Sequence, residues 1–197
     1  MREVGIVVLA AGRGTRFGAA PKLLAPLDGR PLVRHAAEAA VAARLGPVVA
    51  VLGHEAERVA AALDGLALRT VLNPLYAGGL STSVRAGLAA LPDAIAAAIV
   101  LLGDMPRVTP DLLRGLAAAH AGADPAPAAV IPVRDGRRGN PVLIDRRGLS
   151  AAIAALSGDR GLGPLLTGRG DVLEWPVASD GVLADVDTPE ALARLPG

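Results

Sequence analysis

Six consecutive apolar residues, Val4 to Leu9, run without interruption into a loop that carries Gly12, Gly14 and Gly18. Four of the six, Val4, Ile6, Val7 and Val8, are β-branched, so the run reads as a strand buried on both faces. A strand of that kind needs helices packed on either side, which already points to an α/β fold. The glycines that follow let the backbone approach a ligand and turn successive N–H groups toward it, a concavity suited to phosphate oxygens. Arg13, Arg16 and Lys22 place three cations in or beside that loop, more than a plain strand-to-helix turn requires.

The spacing excludes two common phosphate loops. A P-loop needs G-x-x-x-x-G-K-[ST], and here Lys22 follows Pro21. A dinucleotide fingerprint needs G-x-G-x-x-G, whereas Gly12, Gly14 and Gly18 are one residue too widely spaced. The acid expected after the second strand is missing too, because Val48 to Leu52 runs into Gly53 and His54.

Beyond the loop, strand and helix patterns alternate. Pro31 to Leu45 has helical spacing, Pro47 to Leu52 reads as a buried strand, Glu55 to Leu63 as a helix and Leu68 to Leu72 as a strand. Ser81 to Leu91 reads as a helix with Ser81 as its cap, Ala96 to Leu102 as a strand, and a further helix opens at Thr109-Pro110-Asp111 and runs to about His120. Right-handed crossovers then give a mostly parallel sheet, with ligands expected beyond the carboxyl ends of the strands. The pattern changes after the Pro-, Ala- and Gly-rich connection at 122–128. Ala129 to Val133 and Pro141 to Ile144 read as a hairpin-like excursion, followed by a short helix at 149–156, a glycine-rich loop at 158–163 and a strand at 172–177. Val182 to Val186 reads as a last strand entering a helix start at Asp187-Thr188-Pro189-Glu190. With 197 residues and 52% hydrophobic content, one domain spanning 1–197 is expected.

Asp104 is the sharpest single residue. It ends a fully apolar strand, where a carboxylate is costly unless it pairs with a cation or a metal, and hard Mg²⁺ is usually held by one or two carboxylates plus substrate phosphates. Asp185 and Asp187 are candidates for the second carboxylate. If 182–186 is a strand they share one face, and because capping already accounts for Asp187, Asp185 is the stronger ligand on this reading. His35, His54 and His120 share no metal-binding spacing, and Ser81 and Ser83 lack a nucleophile-elbow context.

Composition narrows the partners. A net charge of +1 gives no global field for nucleic acid or an anionic membrane, and Phe17, Tyr76 and Trp175 are too few for base-stacking platforms. The absence of cysteine removes disulfides and thiolate chemistry and suits a reducing cytoplasm. No apolar run approaches the ~20 residues of a membrane span. The apolar start does not read as a signal peptide, because Glu3 spoils a basic leader and cleavage would remove the strand and its loop.

LAAGRGTRFG with Lys22, then NPLYAGGLSTSVRAGL, LLGDMP, GRRGNPVLI, SGDRG and DVDTPEAL, resemble in order the motifs of molybdenum cofactor cytidylyltransferases and their relatives, the guanylyl-transferring synthases of molybdopterin dinucleotides. The resemblance spans nearly the whole chain. It implies a three-layer α/β/α nucleotidyltransferase domain that moves a nucleoside monophosphate from an NTP to the terminal phosphate of molybdopterin and releases pyrophosphate. It also implies Mg²⁺ held by Asp104 and a C-terminal Asp, a triphosphate held by Arg16 and Lys22, and handover of product to a molybdoenzyme or its chaperone. On the nucleotide side it implies Leu9, Ala10, Ala11, Gly12, Gly79, Leu80, Ser81 and Ser83, to which the glycine loop adds Arg13 and Gly14 and the end of the strand at 68–72 adds Asn73; on the pterin side it implies the GNPVLI and SGDRG segments. Guanylyl-transferring relatives resemble L-A-G-G where this chain has Ala11, a methyl that should crowd a purine more than a pyrimidine and so favours CTP. Asn140 stands where relatives often have His, and Leu162-Gly163 replace the Ala-Arg expected after SGDRG. Both departures bear on the acceptor. Guanylyl or sugar-phosphate transfer, a noncatalytic nucleotide- or cofactor-binding protein and a nicotinamide-dependent oxidoreductase are the competing readings.

Overall fold

A computed structural model describes residues 3–18 and 20–195; the ends of the expected 1–197 domain, and Ala19, lie outside the described residues. The first strand, β1 (Val4–Ala10), is buried along its whole length. Ile6 and Val8 face one helical layer while Val7 and Leu9 face the other. Each such side chain contributes ~1.5–3 kcal/mol when fully removed from water.

The chain continues through the hairpin β2 (Pro26–Leu27) and β3 (Arg30–Pro31), helix α1 (Leu32–Ala43), β4 (Val48–Leu52), α2 (Ala56–Ala62), β5 (Arg69–Leu72), α3 (Leu80–Ala90), β6 (Ala97–Leu102) and α4 (Pro110–Gly122). It then forms β7 (Ala129–Arg134), β8 (Arg137–Arg138), β9 (Val142–Asp145), α5 (Ser150–Ala154), α6 (Gly163–Leu166), β10 (Val172–Pro176) and α7 (Pro189–Ala193). The described strands build one main sheet in the order β10-β7-β9-β6-β1-β4-β5, with β8 paired to β7. All neighbours are parallel except those involving β9 and β8, which run opposite. Helices α1, α2 and α4 cover one face, and α3, α5 and α6 the other. The mostly parallel sheet is the one expected from the alternating pattern, and the three-layer, Rossmann-like α/β architecture is the one that the resemblance implies.

The sequence reading needs three corrections. Residues 26–31 form a small antiparallel hairpin, turned by Asp28 and Gly29 at φ 50° and 75°, where no strand was expected. Helix α3 starts one residue early, at Leu80, with Gly79 and not Ser81 in the cap position. The segment 182–186 is not a strand: a 3-10 helix spans Asp180–Leu183 and the chain then runs irregularly to the cap of α7. The hairpin-like excursion is present, with Asp135-Gly136 turning β7 into β8 and β9 returning antiparallel between β7 and β6.

Candidate functional site

The carboxyl ends of β1, β4, β5 and β6 open onto one edge, held in place by backbone bonds between their loops. Gly103 N–H donates to Leu9 O at 2.9 Å, His54 N–H to Ala11 O at 3.1 Å and Asn73 N–H to Leu52 O at 2.8 Å. Below this edge lies a cavity of ≈ 370 Å³, whose wall includes Ala11 to Thr15, Lys22, Gly79, Ser83 and Asp104. The glycine loop is shaped as its sequence implies at Gly14 and Gly18, which sit at φ 60° and 86°. Gly14 has a second reason to lack a side chain, because a Cβ there would lie 2.8 Å from Lys22 Cβ. The loop therefore wraps the stem of Lys22 and directs its ammonium.

That ammonium stands between two carboxylates. Lys22 Nζ donates to Asp104 Oδ2 at 2.5 Å and to Asp187 Oδ1 at 3.2 Å, while Arg16 Nη1 meets Asp187 Oδ2 at 2.9 Å. The Lys22, Asp104 and Asp187 side chains are 12%, 16% and 28% exposed, against 74% for Arg16. Asp187 reaches this place by two anchors. Val186 N–H donates to Asp104 O at 3.0 Å, and Thr188 caps α7 by accepting from Ala191 N–H at 3.2 Å. At the same helix start, the backbone N–H of Glu190 and the Thr188 hydroxyl hold the Glu190 carboxyl below its ordinary range. Asp185 is exposed and makes none of the site's ion pairs. Asp185 and Asp187 share a face only in a strand, and 182–186 forms none.

The other expected residues divide into three groups. Leu9, Ala11, Gly12, Arg13, Gly14, Gly79, Leu80 and Ser83 line the cavity. Ala10 is fully buried in the core on the α1 side. Asn73 and Ser81 are buried below the surface. Asn73 is committed to the turn: its amide donates to Thr82 Oγ1 at 2.8 Å and Ser83 Oγ at 3.0 Å, and its Oδ1 accepts from Leu75 N–H at 3.0 Å. It positions the start of α3. Arg13 lies over the Tyr76 ring at 5.7 Å, and His54 faces that ring at 6.2 Å between centroids.

Tyr76 and Asp159 also line the cavity, and the sequence reading singled out neither. Tyr76 is the chain's only tyrosine, inside a segment already marked as interesting. Asp159 was assigned with its loop to the other side; Gly158 O accepts from Ser81 N–H at 3.1 Å, and that contact brings the loop over.

A second cavity of ≈ 280 Å³ adjoins the first across Leu9, Leu80 and Leu102. Its wall is largely aliphatic, with Asn140, Arg138 and Thr167 as polar members. Arg138 is engaged by Glu174 at 2.7 Å. Residues from both GNPVLI and SGDRG line it, namely Gly139, Asn140, Val142 and Gly161. No group of three or more His, Asp or Glu suited to a metal occurs among the described residues, so the acidic pair stands without a third carboxylate. No described helix is long and apolar enough to cross a membrane.

Residues 6–172 match the family model of the MobA-like NTP transferase domain. Nicotine blue oxidoreductase of Paenarthrobacter nicotinovorans is 35% identical over 194 residues, covering 96% of this chain and 94% of that protein. The bifunctional protein GlmU of Sorangium cellulosum is 39% identical over 132 residues, which is 64% of this chain and 28% of GlmU. The chain spans about a quarter of the length of the GlmU relatives it matches. Among solved structures, Rv0371c of Mycobacterium tuberculosis H37Rv in complex with manganese superposes with TM-score 0.79 at 30% identity, over 98% of this chain and 97% of that one. Molybdopterin-guanine dinucleotide biosynthesis protein A of Archaeoglobus fulgidus superposes with TM-score 0.68 at 24% identity, over 97% and 96%, a likeness of fold alone.

Proposed function

The chain belongs to the MobA-like NTP transferase domain family, and we propose that it moves a cytidylyl group from CTP to the terminal phosphate of molybdopterin, with release of pyrophosphate. Nucleotidyl transfer is the coarser statement, and the base and the acceptor are the finer one. One observation carries the reading: two carboxylates and two cations meet at the mouth of a glycine loop, on the rim of a cavity that can take a nucleotide.

The residues fit a divalent cation. Asp104 Oδ1 is buried and has no hydrogen-bond partner among the described residues, and Asp187 supplies a second hard oxygen ligand beside it. Two carboxylates without a third are the donor set expected where substrate phosphates complete the coordination of Mg²⁺. We assign Asp104 and Asp187 as its ligands; when bound, the ion would draw charge from the triphosphate oxygens. Lys22 and Arg16 would then neutralise the phosphates from the loop side, and the N–H groups around Gly12 to Gly14 would be available to the same oxygens. An oxygen of the acceptor phosphate bonds to the α-phosphorus as the bond to the β-bridging oxygen breaks, and pyrophosphate leaves with that electron pair. The attacking oxygen is already anionic, so no protein base is needed, and positioning does the rest.

Ala11 supports CTP. Its side chain is buried at the cavity wall, and a Cβ placed on Gly53 would lie 2.8 Å from the Ala11 Cβ, so the methyl fills the gap between the ends of β1 and β4. The adjoining aliphatic cavity is where the acceptor would lie, with Asn140 and Thr167 as its hydrogen-bonding groups. The product would pass to a molybdoenzyme or its chaperone. A second reading is favoured by the full-length similarity to an oxidoreductase: the same two cavities would then hold a nicotinamide nucleotide and a dye-like acceptor.

Pyrophosphate release with CTP, GTP, ATP and UTP, each offered molybdopterin and a set of sugar phosphates, tests the first reading. CTP with molybdopterin should give the highest kcat/KM. Oxidation of NADPH by a dye, without pyrophosphate release from any pair, would replace it with the second.

A further inference from the structure

Lys22 is the only lysine in the chain; the other 19 of its 20 Lys and Arg residues are arginine. The one exception stands where a cation must serve two anions in turn. Its ammonium contacts both Asp104 and Asp187, the pair proposed to hold the metal, while its stem is gripped by the glycine loop that faces the triphosphate. An arginine fork would lock onto one carboxylate in a bidentate pair, whereas an ammonium is a compact point charge on a flexible stem that can change partners.

Resting on the metal assignment above, we infer that Lys22 is the stand-in counter-ion of the acidic pair: it blocks divalent cations until a triphosphate draws it away. Two carboxylates that share one ammonium repel each other unless a cation stands between them. Without nucleotide, Lys22 and Arg16 meet that need from inside the protein. A divalent ion arriving alone must displace a charge that is already well placed, and it gains only two protein ligands. A triphosphate offers Lys22 and Arg16 new anionic partners, frees the carboxylates and brings further oxygen ligands for the ion. Metal and nucleotide binding are then coupled, and by linkage the coupling is reciprocal, commonly ~5–150-fold.

This has an outcome that a phosphate-binding lysine alone does not have. Removing Lys22 should tighten metal binding in the nucleotide-free protein while it cripples turnover. The measurement is Mn²⁺ affinity of the full chain, followed by the electron paramagnetic resonance of free Mn²⁺, without nucleotide. Lys22→Met and Lys22→Gln should both bind Mn²⁺ at least ~tenfold more tightly than the parent, and their melting temperatures should rise with Mn²⁺. Adding Asp104→Asn to either should abolish the gain. Unchanged or weaker Mn²⁺ binding in both variants overturns the inference, as does a gain that survives Asp104→Asn.

The single lysine also allows a test on the unaltered chain. With lysine labelled in ¹³C and ¹⁵N, its one Cε–Hε resonance should move on adding α,β-methylene-CTP and stay in place with Mg²⁺ alone. A shift of equal size at the same Mg²⁺ concentration without nucleotide would also sink the idea. If Asp104→Asn in the parent background leaves pyrophosphate release intact, the metal assignment itself is wrong. A wrong base or acceptor would leave the Mn²⁺ results untouched.

Discussion

The two adjoining cavities share three leucine walls and differ in almost everything else. The first is made of backbone and charge: a glycine loop, Lys22, Arg13 and Asp104. The second is made of side-chain methyl groups from β1, α3, β6, β7, β9 and α6, and its one cation is neutralised by Glu174. The contrast separates two problems. Stabilising charge at a phosphorus centre calls for few residues, close in sequence and fixed by a loop. Choosing an acceptor calls for a shape, assembled from many elements that the sequence scatters.

Substitutions in the acidic pair should break this comparison most severely, because the loss would fall on one cavity alone. Asp104→Asn should lower kcat by ~10²–10³ and leave the acceptor KM nearly unchanged. Asp187→Ala should follow at ~10², and Asp185→Ala should stay within about twofold, as exposed positions away from a site usually do. Steady-state kinetics on the three variants, with melting temperatures as a folding control, decide the order. An Asp185→Ala defect larger than that of Asp187→Ala would restore Asp185 as the stronger ligand and leave Asp187 to the helix start.

Asn140→Ala probes the other cavity. It should raise the acceptor KM up to ~tenfold, the worth of one hydrogen bond, and leave the CTP KM within about twofold. Equal effects on both substrates would mean that the two cavities act as one. The smallest effect is expected at Ala11→Gly, which should shift the CTP to GTP ratio of kcat/KM by ~3–10-fold toward GTP. Because the Ala11 methyl also fills space beside Gly53, a lowered melting temperature should accompany the shift.

What could be read from the sequence follows the same division. The apolar runs of β1, β4 and β6 are buried on both faces, so their composition alone revealed the α/β sheet. Lys22, Asp104 and the glycines were visible because each is costly or needless unless used. Asp187 was ranked below Asp185 because capping was taken to account for it, whereas the side chain that caps α7 is Thr188, and the shared face assumed a strand that 182–186 does not form. Its true position depends on Val186 N–H reaching Asp104 O, a contact across 82 residues that no local pattern encodes. Asn73 looked like a ligand because it follows a strand, yet its amide is spent on Thr82 and Ser83. SGDRG borders both cavities, Asp159 the first and Gly161 the second, because a glycine-rich loop carries no signal of which helix it will rest on.

That resting place has a consequence for which positions can vary. Gly79, at φ 103°, faces the backbone of Gly158 with no room for a side chain, and Ser81 N–H is bonded to Gly158 O. The two loops are joined like the halves of a seam. A side chain at Gly79 would run into the backbone of Gly158 and Asp159 and force the seam apart beside Leu80, which walls both cavities, and so would disturb the nucleotide along with the acceptor. Beyond the seam, Leu162, Gly163, Leu166 and Thr167 line only the second cavity. Tolerated change should therefore concentrate there, and a new acceptor could be acquired by altering that stretch while the phosphate machinery stays still.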